Sequence, residues 1–329
     1  MTAYLFVHFR EKITPDGEQV HFALSRDGFH WEAVNSGLPV LWAYYGSRGV
    51  RDFTICRADG KFHIIATDLS LAYGMRGEFH HSWDAISRNG SKFLAHWESD
   101  DLVHWSEQRL DPIGIKDFGC MWAPEIIYDR AQGDYVLHWS SSHRADDYRQ
   151  KAIYYCRTRD FKTFTPPALL YQKADSGVID SAMVEEDGTY YLFVKSEGNP
   201  EKLILLQSRC ITGPFERIEA FDESMADCQS GLYEAPTVFK LNDGRWCLMI
   251  DYYGVRGRGQ GYIPYISENL ASGRFTRVDS ARADAAETYG GTFSFPYGFK
   301  HGTVLPITME EYERIRNHDW QEDQFEINP

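Results

Sequence analysis

One phrase recurs along this chain, and its recurrence limits the fold more than any other feature. A strand-like apolar run, a turn of Asp, Asn or Gly, and an aromatic-rich run appear as RDFTICRADGKFHIIATDLS from Arg51 and APEIIYDRAQGDYVLHWSSS from Ala123. They return as IDSAMVEEDGTYYLFVKSE from Ile179 and EAPTVFKLNDGRWCLMIDYY from Glu234. Each reads as a β-hairpin. A second phrase, an apolar strand ending in a polar turn and an aromatic, follows each copy and also precedes the first. Its copies begin at His21, Leu94, Ile153, Leu205 and Ile263. One unit is therefore four strands.

The order of the phrases identifies the architecture. Residues 1–34 supply a second, third and fourth strand, four full units follow, and HGTVLPI from His301 is an isolated first strand. The expectation is an all-β, five-bladed β-propeller, closed by N- and C-terminal strands sharing one blade. A two-sheet sandwich leaves the orphan strands unexplained, and no Gly-His…Trp-Asp signature recurs. Residues 1–329 read as one propeller domain, with a short helix at EEYERI and a tail from about 308. The first-strand positions taken as equivalent are Asp52, Glu125, Asp180, Glu234 and His301, spaced 73, 55, 54 and 67 residues apart. The longer intervals place insertions at 71–92 and 254–261.

Composition narrows the partners. Lys and Arg total 34 against 48 Asp and Glu, a net charge of −14. Such a chain repels phosphate backbones and anionic membranes, so neither nucleic acid nor membrane is an expected partner. No run of 18 apolar residues suggests a spanning helix. Aromatics reach 15%; most suit a β-rich core, and a few suit sugar rings. The six cysteines (56, 120, 156, 210, 228 and 247) form no C-x-x-C pair and read as reduced thiols. The start MTAYLFVHFREK shows no basic, long-apolar leader pattern, which predicts a cytoplasmic protein. Oligomeric state is left open.

In a propeller the first strands line a central channel. Asp52 in GVRDFTIC, Asp180 in GVIDSAMV and Glu234 in LYEAPTVF would converge on its mouth. Carboxylates so placed push one another's pKa values apart, letting one act as a base while another keeps its proton. Two such groups across a sugar can hydrolyse a glycosidic bond.

With these acids, the phrases RDFTICRADGKFHIIAT, MWAPEIIYD, VIDSAMVEEDGTYYLFV, YEAPTVFK and HGTVLPIT together resemble glycoside hydrolase family 43, from Tyr4 to Thr308. The resemblance implies inversion of configuration, with Asp52 as base, Asp180 as the residue that tunes the acid, and Glu234 as acid. The sequence departs from the family where Phe53 follows Asp52, Ser181 follows Asp180 and Ala235 precedes Pro236. Glu11, Asp68 and Glu125 stand in reserve. The resemblance also implies that His301 can bind a metal ion, with a structural Ca2+ in the channel as the one cofactor admitted. A lone His is no metal signature, and calcium prefers oxygen.

Around the acids, Arg51, Trp122, Glu125, His143, Arg256 and His301 are the candidate substrate-binding residues, Trp122 as a stacking platform. Trp31 and Trp105 read as packing residues. The pairs within Glu78 to His81, with His138 and His143, read as loop residues near the pocket rim. The implied substrate is a plant-type oligosaccharide with terminal arabinofuranosyl or xylosyl units, and small oligosaccharides are favoured over intact polymer. Two alternatives keep the fold: a retaining β-fructosidase of the family 32 type, whose Arg-Asp-Pro element GVRDF resembles, and a sugar-binding propeller without turnover.

Overall fold

The computed structural model describes residues 2–321 except 13, 76, 114–115, 199–200, 227–232, 256–258, 279–292 and 296–297. The chain opens with β1 (Thr2–Arg10), β2 (His21–Ser25) and β3 (Glu32–Ala33). Blade 1 is β4 (Val50–Ala58), β5 (Lys61–Asp68), β6 (Leu94–Ser99) and β7 (Arg109–Asp111). Blade 2 is β8 (Trp122–Asp129), β9 (Asp134–Ser142), β10 (Lys151–Thr158) and β11 (Ala168–Tyr171). Blade 3 is β12 (Val178–Glu186), β13 (Thr189–Ser196), β14 (Lys202–Ser208) and β15 (Glu216–Arg217). Blade 4 is β16 (Tyr233–Lys240), β17 (Trp246–Val255), β18 (Gly259–Ser267) and β19 (Thr276–Arg277). Finally β20 (Phe299–Thr308) joins the opening strands in the order β20-β1-β2-β3, which is blade 5.

The five sheets form a five-bladed propeller, with antiparallel neighbours throughout and the two ends of the chain in one blade. Its apolar core is divided among five seams. Leu5, Val7 and Phe9 of blade 5 meet Phe53, Ile64 and Trp97 of blade 1. Blades 1 and 2 meet at Ile65 and Trp139, blades 2 and 3 at Val136 and Leu192. Phe193 packs with Leu248 across the next seam, and Met249 with Phe6 across the last. Each strand face is apolar because each blade is covered on both sides, at about 1.5–3 kcal/mol per fully buried large side chain.

A helix α1 (Trp83–Asn89) and the turn Leu71–Met75 fill the predicted insertion between β5 and β6. The second predicted insertion needs correction. Residues 254–255 and 259–261 belong to β17 and β18, which pair out to Val255 and Gly259, and residues 256–258 lie outside the described residues. The extra chain of this unit lies between β19 and β20. A short α2 (Glu219–Ser224) follows β15, and α3 (Met309–Asn317) follows β20. Thr308 and Glu311 form a capping box at the start of α3, whose Tyr312 and Ile315 pack onto the blade 5–blade 1 seam. Trp31 is buried beside Phe6, and Trp105 is partly buried, as packing residues should be.

A second correction concerns equivalence along the repeat. Each first strand of blades 1 to 4 carries one extra residue relative to its partner. The register slips between Arg51 and Phe53, Trp122 and Glu125, Ile179 and Ser181, and Glu234 and Thr237. The residues with left-handed backbone there are Asp52 (φ 49°), Ala123 (φ 48°), Asp180 (φ 51°) and Ala235 (φ 56°). These four are the structural equivalents. Glu125 lies two residues beyond its bulge and Glu234 one before, so the carboxylates reach the channel from three different offsets.

Closure rests on β20 against β1, where Gly302 allows a close approach. A Cβ on Gly302 would lie 1.8 Å from the Val7 carbonyl oxygen. Gly302→Ala must therefore part the two strands that shut the ring. Overpacking of this kind costs about 1–3 kcal/mol. The expected outcome is a melting temperature lower by several degrees; an unchanged melting curve would show that the closing pair is looser than this geometry.

Candidate active site

The bulges turn side chains into the channel mouth, and the second strands of blades 1 and 2 brace the bulge of the next blade. Thr67 of β5 lies opposite Arg51; it accepts from the Ala123 N–H (2.8 Å) and donates to Asp52 Oδ2 (3.2 Å). Ser140 of β9 lies opposite Trp122 and accepts from the Asp180 N–H at 3.0 Å. In blade 3 the matching residue, opposite Ile179, is Lys195. Its ammonium reaches Glu234 Oε2 (3.2 Å), the Tyr253 hydroxyl (2.6 Å) and Glu201 Oε2 (3.0 Å). In blade 4 the match, opposite Glu234, is Asp251, which pairs with Lys300 of β20 at 2.6 Å. Lys300 also stands 3.8 Å from Glu234 Oε1.

Lys195, Lys300, Asp251 and Thr67 were absent from the sequence candidates. The signal was present: Thr67, Ser140, Lys195 and Asp251 end the apolar runs of the four hairpin phrases.

The electrostatics separate the acids. Burial alone would raise the Asp52 carboxyl, but the His301 contact, the Arg51 charge and the Thr67 hydroxyl bring it below its ordinary value, so it is ionised. His301 Nδ1 lies 3.4 Å from Asp52 Oδ1, in ion-pair range but without the geometry of a hydrogen bond. Burial opposes its charge, yet Asp52, Asp180 and Glu125 together push it up to about 9. Asp180 goes the other way. Burial, then the charges of Glu234 and Asp52, push its carboxyl up to about 7 against the pull of His301 and Lys195. Glu125 sits deeper and is also pushed up to about 7 by burial. Its neighbour Thr303 has one hydroxyl proton and two acceptors, the Phe53 carbonyl (2.9 Å) and Glu125 Oε1 (2.7 Å). A protonated Glu125 donating to Thr303 satisfies that count.

A base-like and a protonatable carboxyl at one channel mouth invite comparison with known proteins. Residues 1–313 match the family model described as "Probable glycosyl hydrolase domain", a model related to glycoside hydrolase family 43. The chain belongs to this family. It is 30% identical to an alpha-L-arabinofuranosidase of Bifidobacterium longum subsp. longum over 60% of this chain. The match spans only 20% of that much longer protein. Among solved structures, a family 43 protein of Bacillus licheniformis aligns with a TM-score of 0.56 at 14% identity, over 91% of this chain and 54% of that one. An exo-1,5-alpha-L-arabinanase from a bovine ruminal metagenomic library aligns with a TM-score of 0.54 at 15% identity, over 84% and 92%. These structural likenesses establish the shared fold.

In this family 43-related propeller the other sequence candidates fall in different places. Arg51 is buried over the Phe9 ring and pairs with Glu18 (2.9 Å) and with the reserve acid Glu11 (3.3 Å). Asp68 is likewise engaged, by the Ser47 N–H and the Ser91 hydroxyl. Trp122 is half-buried at the mouth, edge-on to Trp83, with the Lys151 ammonium 5.6 Å from its ring. His143 caps a short turn after β9 and stacks on Tyr154; no described contact joins it to the acids. His138, expected in a loop, is instead buried within β9, bonded to Ser181 and pushed down to about 3 by burial. The hairpin phrase from Ala123 already ran a strand through this position. Arg256, Arg258 and Cys228 lie outside the described residues. Cys120, Cys156 and Cys247 are buried free thiols, and Cys210 is exposed.

Among the described residues, three metal-type ligands come together at His63, His96 and Glu98, away from His301. The Arg109 guanidinium already occupies that cluster, contacting Glu98, His96 and Asp111.

The raised Asp180 has a stability consequence. Its ordinary value is 3.8 and its folded value about 7. The folded state thus prefers the protonated form. That contribution is complete below about pH 3.8 and is lost as pH rises to about 7. Asp180→Asn abolishes the titration, so the variant should melt above the wild type at pH 8, with the gap closing between pH 7 and 4. Melting curves across this range test it, and a gap independent of pH would contradict the burial assigned to this carboxyl.

Proposed function

We propose that this protein is an inverting glycoside hydrolase that releases arabinofuranosyl or xylosyl units from plant-type oligosaccharides. The observation that carries the reading is that Asp52, ionised beside His301, and Asp180 stand on equivalent bulges of one channel mouth, beside Glu234. Membership of the glycosyl hydrolase family supports the reaction class. The Bifidobacterium relative's arabinofuranosidase name supports the arabinofuranosyl choice.

The chemistry follows from the charges. Asp52 takes a proton from water, which attacks the anomeric carbon from the face opposite the leaving oxygen. The leaving oxygen needs a proton. The charge of Glu234 is one of the causes that push the Asp180 carboxyl up. We assign delivery of that proton to Glu234, whose carboxyl is oriented by Lys195. Asp180 tunes it, and His301 keeps Asp52 ionised and in place.

No metal enters this scheme. Calcium takes oxygen ligands, and a His301 held protonated by its carboxylate neighbours offers no lone pair to an ion. The residues around His301 therefore do not fit a cation bound through the imidazole.

Proton NMR of the first-formed sugar anomer, with a panel of nitrophenyl glycosides, tests the reading. Asp52→Asn should lower kcat at least about a thousandfold on every substrate. Glu234→Gln should slow substrates with poor leaving groups far more than activated aryl glycosides. Retention of the anomeric configuration, or near-normal rates in both variants, would defeat the assignment.

A further inference from the structure

Six of the large hydrophobic residues left exposed among the described residues are aromatic, and five of them, Tyr44, Tyr45, Tyr73, Trp83 and Phe93, fall within residues 44–93 of the chain. Tyr44, Tyr45 and Phe93 border two cavities that share a wall. The inner one, about 380 Å3, is lined by Gly46, Ser47, Asp68, Phe93, Leu110 and Trp122 among others. The outer one, about 400 Å3, is lined by Trp42, Tyr44, Tyr45, Trp105 and Gln108, with Trp97 in its floor. Residues 44–45 face one cavity and 46–47 the other, so this segment is the ridge between them.

The ridge is held from both sides. Gln108, itself buried, accepts from the Tyr44 N–H (2.7 Å) and the Tyr45 N–H (2.9 Å) through one oxygen. On the other side the Ser47 N–H donates to Asp68 Oδ1 at 2.7 Å, while Ser91 donates to Asp68 Oδ2 at 2.6 Å. Two aromatics that are 71% and 54% exposed are thus carried on backbone with little freedom left. Exposed rings normally cost a protein solubility. Rings held rigid in advance lose little entropy when a ligand stacks on them.

The inner cavity lies one residue from the network that holds Asp52. Trp122 lines it and precedes Ala123, whose N–H is bonded to Thr67, which in turn bonds Asp52.

We infer that these two cavities and the Tyr44–Tyr45 ridge form a track that binds the neutral backbone of a glycan chain extending away from the cleaved sugar. This rests on the glycosidase reading and adds that the preferred substrate is long. Charge selects a neutral chain. Asp68, Glu78 and Glu107 line the cavities, with Lys92 alone among their lining residues as a lysine or arginine. A polyuronate would be repelled by this surface and by the net charge of −14. The flat faces of pyranose rings suit aromatic side chains, and Ser, Asn and Gln side chains at the edges suit hydroxyls.

The test is calorimetric titration of the intact Asp52→Asn protein with xylohexaose and with xylobiose, before and after adding Tyr44→Ala and Tyr45→Ala. The parent should bind the hexasaccharide at least about tenfold more tightly than the disaccharide, and the double exchange should erase most of that preference. Each tyrosine exchanged singly should take away part of it. The ratio of kcat/KM for a hexasaccharide to that for a nitrophenyl glycoside should fall in parallel in the active protein. An unchanged hexasaccharide preference overturns the track. So does an equal affinity for both sugars in the parent, or a loss of self-association in sedimentation, which would make the ridge a contact between copies. A failure of the glycosidase reading looks different: no glycoside is turned over by the wild type, whatever the ridge carries.

Discussion

A left-handed residue inside a strand is expensive for anything but glycine, about 1–2 kcal/mol, and here Asp52, Ala123, Asp180 and Ala235 adopt it at one place in four successive blades. The reason is geometric. First strands crowd round a narrow axis, and a regular strand would continue to alternate its side chains between the two seams. An extra residue breaks that alternation and turns a side chain along the axis, towards the open end. The strain is what makes a mouth lined with chemistry possible on a scaffold otherwise made of apolar seams. It is offset locally. The bulged N–H groups of Ala123 and Asp180, which have lost their ladder partners, are taken up by Thr67 and Ser140, at about 1 kcal/mol net each.

The same crowding dictates the charge arrangement. Asp52, Asp180, Glu234 and Asp251 would repel one another in a site this dry, so cations must be interleaved. His301, Lys195 and Lys300 supply them, and each is held charged by its acidic neighbours despite burial. None sits at random. Each bridges one blade to the next: His301 from blade 5 to Asp52 of blade 1, Lys195 from blade 3 to Glu234 of blade 4, Lys300 from blade 5 to Asp251 of blade 4. The ring is thereby fastened at the mouth by ion pairs and in the seams by apolar packing. The closing blade contributes two of the three cations, so closure of the ring and assembly of the site are one event.

Much of this was legible in the chain. Recurrence of two phrases revealed the blades and their closure, and the acids at 52, 180 and 234 stood out because polar residues inside buried strands need a reason. What the phrases could not show was register. A one-residue bulge moves every later side chain to the opposite face, so counting from the strand start equated Glu125 with Asp52, when Ala123 is the true match. Lys195 and Asp251 were missed for a related cause. They stand opposite the bulge on the partner strand, and pairing across a hairpin is fixed by the slip itself. His138 was misread because a histidine in an apolar run resembles a polar interruption until a buried partner, Ser181, accounts for it. The interval from 234 to 301 was measured correctly, but nothing local distinguished a lengthened hairpin from a lengthened crossover.

The bracing position also explains how a five-fold scaffold becomes one-sided. In blades 1 and 2 it is a hydroxyl, Thr67 or Ser140, which holds the backbone of the next bulge. In blades 3 and 4 it is a charge, Lys195 or Asp251, which reaches past the backbone to a side chain. A hydroxyl is short and neutral, and it reaches no farther than the adjoining backbone and carboxylate. A lysine is long and cationic, and it pins the carboxylate it meets. Asp52 thus meets the Thr67 hydroxyl and the His301 ring, while Glu234 meets Lys195, which Tyr253 and Glu201 hold in turn. Asp52 and Glu234 differ in their surroundings because the second strands beside them differ, and the strand repeat that makes the blades alike in fold is broken at this one position.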